Sequence, residues 1–323
     1  EAFRFCKLDA AVTCFASDSH TTEQWKVHTK KRQMEDYTAI DYTIETPEGI
    51  LTTTEGNNEI TTWVVEYLIK NKEDILLLQK YCPLPTLQRD TIRRTYDAIG
   101  DAGILRTFLC GKQGGCWQDA CELYGAENLI METFDDPEWV HAFLSILLEM
   151  KLRYIDENLY GMPFDLVETG GGAASNTLIS PAIHEEFCLP YDIKIHDAVH
   201  RAGFPVVYHT CGGMSKITHL LAQNHCDISE TLSPAGVGGD IADDATAKQV
   251  YADLFPHVGL IGGMDQFNIL QKGTPQQIRA EVERLFALYG QNGGYMMSAC
   301  DHFFHVPKEN LLYYAQAAHT CTY

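Results

Sequence analysis

Beyond residue 100 the chain repeats one pattern: short apolar runs at 104–110, 165–169, 204–211, 227–232, 257–262 and 295–300, separated by stretches with helical character. Apolar runs of this length, bounded by glycine and polar turns and spaced widely enough for a helix between them, are the sequence form of βα units and a parallel sheet. The intervals carry their own punctuation. Ser180-Pro181 opens a helix expected over 181–202, and Pro275 opens another over 274–290. Proline suits the first helical position because the N–H it lacks would have no partner there. Gly203 and Gly290 stand where those helices should stop.

Six strands are visible in this way, and one or two more are expected in the first hundred residues, one of them at 10–16. The fold expected is α/β, a (β/α)8 TIM barrel forming a single domain over 1–323, a length such barrels reach undivided. An open doubly wound sheet is the other candidate, but no Gly-x-Gly-x-x-Gly turn follows a strand to mark a dinucleotide crevice. Residues 35–55 alternate polar and β-prone side chains about Thr46-Pro47-Glu48-Gly49, which predicts an N-terminal β-hairpin decoration. Asn71-Lys72-Glu73-Asp74 begins an amphipathic helix that Pro83 and Pro85 punctuate. No internal repeat or low-complexity segment interrupts the pattern. The first residue is Glu1, so an earlier segment is expected to be missing.

Charge and cysteine content narrow the function classes. Acidic residues outnumber basic ones 44 to 24, a formal charge of -20, which makes nucleic acid a poor partner. No apolar run reaches the roughly 18 residues of a bilayer span, and no basic-then-apolar leader opens the chain, so no membrane association is expected. With 45% apolar and 21% charged residues the chain has the balance of a globular enzyme. Eleven cysteines, an odd number without framework spacing, point to reduced thiols in a cytoplasmic setting, where some can be metal ligands.

The run Phe204-Pro205-Val206-Val207-Tyr208-His209-Thr210-Cys211-Gly212-Gly213 is an apolar strand ending in a histidine and a cysteine two apart. Side chains at i and i+2 of a strand share a face, and barrel enzymes place their chemistry at the C-terminal ends of strands. Cys300 closes another apolar strand 89 residues after Cys211, an interval of about three βα units. One imidazole and two thiolates suit zinc and leave a fourth position open, which implies catalysis. The plainer alternative is two buried cysteines packed as small hydrophobes and a hydrogen-bonded strand-end histidine.

At His209-Thr210-Cys211-Gly212 and the Cys300 region the chain resembles the uroporphyrinogen decarboxylase superfamily, and within it the cobalamin-dependent methyltransferase branch. Ser180-Pro181 through Pro190-Tyr191, Gly262-Gly263-Met264-Asp265, Gly293-Gly294-Tyr295, Thr46-Pro47-Glu48-Gly49 and Ile69-Lys70-Asn71-Lys72-Glu73-Asp74 extend the resemblance over most of the chain. The resemblance implies a (β/α)8 barrel and a zinc site made by His209, Cys211 and Cys300. It also implies a corrinoid, methylcobalamin or a corrinoid-binding protein, as partner, and a small thiol, folate, methoxy or methylamine compound as methyl donor or acceptor. Zinc would turn a coordinated thiol into a nucleophile, or polarise a methoxy or methylamine group, and the sequence does not choose the direction.

The true decarboxylases lack this thiolate pair and grip a polycarboxylate tetrapyrrole with an N-terminal Arg-Gln-x-Gly-Arg stretch. That stretch is not found here. Arg4 and Lys30-Lys31-Arg32 are the nearest basic groups, the latter read as a solvated face. A chain of charge -20 sits badly with eight substrate carboxylates. Decarboxylation is the alternative activity, and a non-catalytic metal-binding adaptor of a corrinoid protein is the alternative of another class.

Other strand ends supply further candidates. Glu168 could serve as fourth ligand or proton carrier, or merely cap its loop, and Glu230 stands second on the same logic. Asp265 and Asp301 are placed to orient a ligand or bind substrate. Gly170 and Gly171, at the head of Gly170-Gly171-Gly172-Ala173, could let backbone approach a corrinoid, or simply make a tight loop. Tyr208, His302 and His305 are candidate mouth residues, with a structural role open for at least one of the histidines.

Overall fold

A computed structural model describes residues 2–15, 21–110 and 113–322. Eleven strands occur among these residues: β1 (Ala10–Cys14), β2 (Lys26–Gln33), β3 (Thr38–Thr46), β4 (Gly49–Asn57), β5 (Thr62–Glu66), β6 (Gly103–Phe108), β7 (Leu166–Gly170), β8 (Val206–His209), β9 (Ile228–Thr231), β10 (Gly259–Met264) and β11 (Tyr295–Ala299). Seven of them form one sheet in the order β1-β6-β7-β8-β9-β10-β11, with parallel pairing throughout. Each neighbour in space is also the next sheet strand in the chain, which helices between consecutive strands make possible.

Among the described residues the parallel sheet has seven strands, where a closed barrel of this kind has eight. The N-terminal hundred residues contribute β1 to this sheet, and the last residue of the expected 10–16 run lies outside the described residues. No ladder joins β1 to β11 among the described residues. Burial follows from that: β7 and β8 are buried at every position, whereas β1 and β11, paired on one side, are largely half-buried. The sheet is nevertheless strongly curled. β6 and β9 are three strand positions apart, ~14 Å on a flat sheet, yet Arg106 on β6 reaches Glu230 on β9 at 2.9 Å.

The remaining strands form a second sheet, β2-β3-β4-β5, wholly antiparallel. β3 and β4 pair from Thr38 opposite Asn57 down to Thr46 opposite Gly49, across Pro47-Glu48. The Thr46 hydroxyl accepts from the Glu48 and Gly49 amides, closing the turn.

Helix ends follow the local chemistry. Ser180 caps Pro181–Phe187 through the Ile183 amide. The helix expected over 181–202 breaks at Cys188 and resumes as Leu189–Arg201, since Pro190 has no N–H to continue the ladder. Thr274 and Gln277 form a reciprocal capping box at Pro275–Leu285, and the last turn to Gly290 widens. Asp74 accepts from the Lys70 and Asn71 amides and so starts Asp74–Tyr81 three residues later than the pattern suggests. Among the described residues no helix is long and apolar enough to cross a membrane.

Candidate metal centre

Register brings the polar strand ends together. Gly170 pairs with His209, and His209 with Glu230. Side chains alternate along each strand, so His209 points into the curl while Tyr208 points out to the helices. Tyr208 is fully buried there, and its hydroxyl donates to Asp192 at 2.8 Å. It does not line the mouth, contrary to the expectation from sequence.

Inside the curl, His209 Nδ1 lies 2.9 Å from Glu230 Oε1 and 3.5 Å from Glu168 Oε1. Ligand atoms of Glu168, His209 and Glu230 all fall within 4.8 Å of one another, and all three residues are buried. Arg106, which the sequence reading overlooked, donates from Nη1 to Glu230 Oε2 at 3.2 Å, from Nη2 to Glu230 Oε1 at 2.9 Å, and from Nη2 to Glu168 Oε2. The two carboxylates are driven apart electrostatically. Burial and the neighbouring Glu230 push Glu168 up to about 7, against the pull of Arg106 and His209. Burial also opposes charge on Glu230, yet His209 and Arg106 hold it down at about 2. The His209 ring is desolvated too, but Cys211 and Glu230 beside it outweigh burial and raise its pKa well above the ordinary value.

The other ring nitrogen, His209 Nε2, is buried and makes no hydrogen bond of ordinary geometry, while Cys211 stands close enough to the ring to favour its charged form. A carboxylate on Nδ1 with Nε2 left open is the arrangement of a metal-ligating histidine, the carboxylate fixing tautomer and orientation. Cys211 follows on the loop after β8, its Sγ so close to Gly172 that a Cβ there would stand 2.5 Å from it. The loop is clamped from below. Asp240 accepts from Met214 N, Ser215 N, Ser215 Oγ and Asn176 Nδ2, and Thr177 Oγ1 accepts from Gly213 N at 2.6 Å. Those donors keep the Asp240 carboxyl below its usual range although burial works the other way. Asp240, Asn176 and Thr177 carry no motif, so nothing in the sequence flagged them.

Cys300 is fully buried at the end of β11, where its thiol donates to Gln266 Oε1 at 2.8 Å. Burial, then Asp265 and Asp301, push it up to about 12. The structure therefore sets Cys211 beside His209 but does not bring Cys300 into a tight group with them among the described residues. A neutral buried thiol takes an oxygen acceptor, and Gln266 is the one within reach.

The remaining candidates fall into place around this centre. Asp265 caps the turn that follows β10, accepting from Phe267 N, Asn268 N and Asn268 Nδ2. Gly170, at φ +92, packs on the His209 backbone, where a Cβ would meet the His209 oxygen at 2.5 Å; Gly171 N donates to that same oxygen at 2.8 Å. Both glycines thus serve the fit of β7 to β8. Asp301 accepts from the His302 amide and ring, and both residues lie near enough to feel the charge of His209. His302, Phe303, Phe304 and His305 are exposed at the rim. Phe15 after β1, Phe267 after β10 and Leu178 beyond β7 are exposed at the same end.

Residues 58–321 match the family model described as uroporphyrinogen decarboxylase (URO-D). A methylated-thiol:coenzyme M methyltransferase of Methanosarcina mazei is 25% identical over 199 residues, 61% of this chain and 49% of that protein. A uroporphyrinogen decarboxylase of Hydrogenovibrio crunogenus is 27% identical over 225 residues, 64% of this chain and 55% of that protein. A methylcobamide:CoM methyltransferase of Methanosarcina acetivorans is 27% identical over 251 residues, 77% of this chain and 68% of its own length. The chain thus spans about half the length of the first two relatives. Among solved structures, a methyltransferase from Methanosarcina mazei superposes with a TM-score of 0.59 at 14% identity, covering 80% of this chain and 72% of that one, a likeness of fold.

Proposed function

The chain belongs to the uroporphyrinogen decarboxylase family, and on that premise we propose that it is a zinc enzyme of the methyltransferase branch, moving a methyl group between a corrinoid and a small thiol, folate, methoxy or methylamine compound. The observation that carries this reading is the buried Nε2 of His209, which makes no hydrogen bond of ordinary geometry, in a ring beside Cys211 with Glu230 on the opposite nitrogen. His209 and Cys211 would hold the ion, and Cys300 would complete the set on giving up Gln266. Such a donor set is borderline-soft and suits zinc. Bound there, the ion would act as a Lewis acid that lowers the pKa of a coordinated thiol or polarises a methylated substrate.

The chain's own residues shape the rest. Glu230 fixes the ring, Gly172 leaves room for the Cys211 sulfur, and Asp240 holds the loop that carries it. Glu168, on the Nδ1 side of the ring, would carry a proton rather than bind the ion, and Asp301 with His302 would border the opening. The apolar rim of Phe15, Phe267, Phe303 and Phe304 suits a broad, largely apolar face, as a corrinoid or a corrinoid-binding protein would present. An eight-stranded barrel belongs to the same proposal, its eighth strand between the half-exposed β1 and β11. So does a reducing, cytoplasmic setting, in which the thiols stay free to serve.

Metal analysis of the purified protein and of Cys211→Ala tests the site: zinc near one per chain in the wild type, lost in the variant, is expected. Adding methylcobalamin and a thiol and following the cobalamin absorbance tests the reaction. Wild-type turnover that Cys211→Ala abolishes supports a catalyst; partner binding without turnover in either would identify an adaptor. Decarboxylation is the second reading, favoured by the Hydrogenovibrio crunogenus relative. Release of carbon dioxide from uroporphyrinogen, insensitive to Cys211→Ala, would establish it instead.

A further inference from the structure

Arg106 puts a permanent positive charge in the floor of the proposed metal site. Its guanidinium forks onto both oxygens of Glu230 and also reaches Glu168. The side chain is 13% exposed, and the two carboxylates are 4% and 9% exposed. A buried pair of carboxylates beside an imidazole is ordinarily a place for a hard divalent cation, which seeks oxygen ligands. Here that place is already filled by a group that does not deprotonate in proteins. Filling it has a geometric consequence. Glu230 Oε1 is shared between Arg106 and His209 Nδ1, so the rigid fork that sets the carboxylate plane also sets the ring.

We propose that Arg106 is a positioning and specificity residue of the metal site: a built-in cation that takes the oxygen side of the cluster, aligns Glu230 on His209, and leaves an entering ion the Nε2 and thiol side. The site would then accept thiophilic ions and refuse hard ones. The proposal rests on the zinc reading for its account of the sulfur side, and on the observed Arg106 contacts for the oxygen side.

The test titrates metal-free wild type, Arg106→Met and Arg106→Lys with Mn²⁺, Co²⁺ and Zn²⁺. It follows free Mn²⁺ by electron paramagnetic resonance, sulfur-to-cobalt charge transfer by absorption, and zinc by competition with a chelator. Wild type is expected to show the charge-transfer band and negligible Mn²⁺ binding. Arg106→Met should bind Mn²⁺ at least about tenfold more tightly and Zn²⁺ about 10–100-fold more weakly, the usual cost of losing an outer-shell partner. Arg106→Lys keeps a cation and should restore the refusal of Mn²⁺, with zinc affinity between the other two because a point charge does not fork. If folded Arg106→Met matches wild type for both Mn²⁺ and Zn²⁺, the proposal is overturned. If Arg106→Met does not fold, Arg106→Lys decides: zinc affinity equal to wild type overturns the positioning role, and an intermediate value supports it. A wild type without the charge-transfer band sinks the zinc reading, while the Mn²⁺ comparison still judges Arg106.

Discussion

At the scale of single residues, the candidate site consists of side chains at strand ends, His209 and Cys211, and of residues that act through them, Arg106, Glu230 and Gly172. His209 and Cys211 stand out because a two-residue spacing at a strand end predicts a shared opening. Arg106 lies inside a strand among apolar neighbours, and only the curl of the sheet shows that it meets carboxylates from β7 and β9. Gly172 is similarly hidden in a run of glycines, although its reason is specific: a Cβ would stand 2.5 Å from Cys211 Sγ. Gly172→Ala is therefore expected to displace the thiol and weaken zinc binding about tenfold or more, read by chelator competition. Its backbone angle is not strained for alanine, so a melting temperature within a few degrees of wild type should accompany the loss. Glu230→Gln should also cost about 10–100-fold in zinc affinity, because the amide is a weaker acceptor for Nδ1–H and no longer balances Arg106. Unchanged zinc affinity in both variants would remove the ring and its neighbour from the proposed site.

At the scale of elements, the βα rhythm is legible because short apolar runs and helix caps are local signals, whereas pairing is not. The expected hairpin segment belongs to a four-stranded sheet, of whose outer strands β2 is almost wholly polar and β5 is a run of only five residues, Thr62–Glu66. The helices outside β7 and β8 bury two histidines that no pattern announces. Burial lowers His184 to about 4 and His196 to about 3. His184 Nδ1 donates to Ala174 O at 2.8 Å, and His196 bridges Thr169 Oγ1 and Asn224 O. The unfolded chain takes up protons near 6.5 while the folded chain does not, so stability from these rings is present above that pH and is lost as pH falls toward 4. At about 1.4 kcal/mol per pKa unit the loss reaches a few kcal/mol. Asp192 works oppositely: burial raises it to about 7, so its contribution to stability falls as pH rises from about 4 to 7. Urea unfolding at pH 5 and pH 8 should therefore show a shallower acid loss in His184→Gln than in wild type, and a steeper one in Asp192→Asn. Identical slopes in all three proteins would mean these buried groups do not control the acid limit.

At the scale of the whole molecule, the parallel sheet sorts the chain into a polar centre and an apolar rim, because every strand ends at the same side. Sequence gives the strand ends but not the curl, and so not which exposed aromatics share a mouth. Phe303 and Phe304 are 40% and 53% exposed in the loop that leaves Cys300. Covering half a phenylalanine side chain is worth about 1 kcal/mol, so a corrinoid face resting on both would gain about 2 kcal/mol, roughly thirtyfold in affinity. The double variant Phe303→Ser with Phe304→Ser should raise the half-saturating methylcobalamin concentration by about that factor. Zinc content should not change, because both side chains face solvent, and a small methyl donor that needs no rim should react at the wild-type rate. A fall in zinc content would make the two rings part of the wall that supports Cys300, and unchanged methylcobalamin saturation would move the corrinoid off this rim.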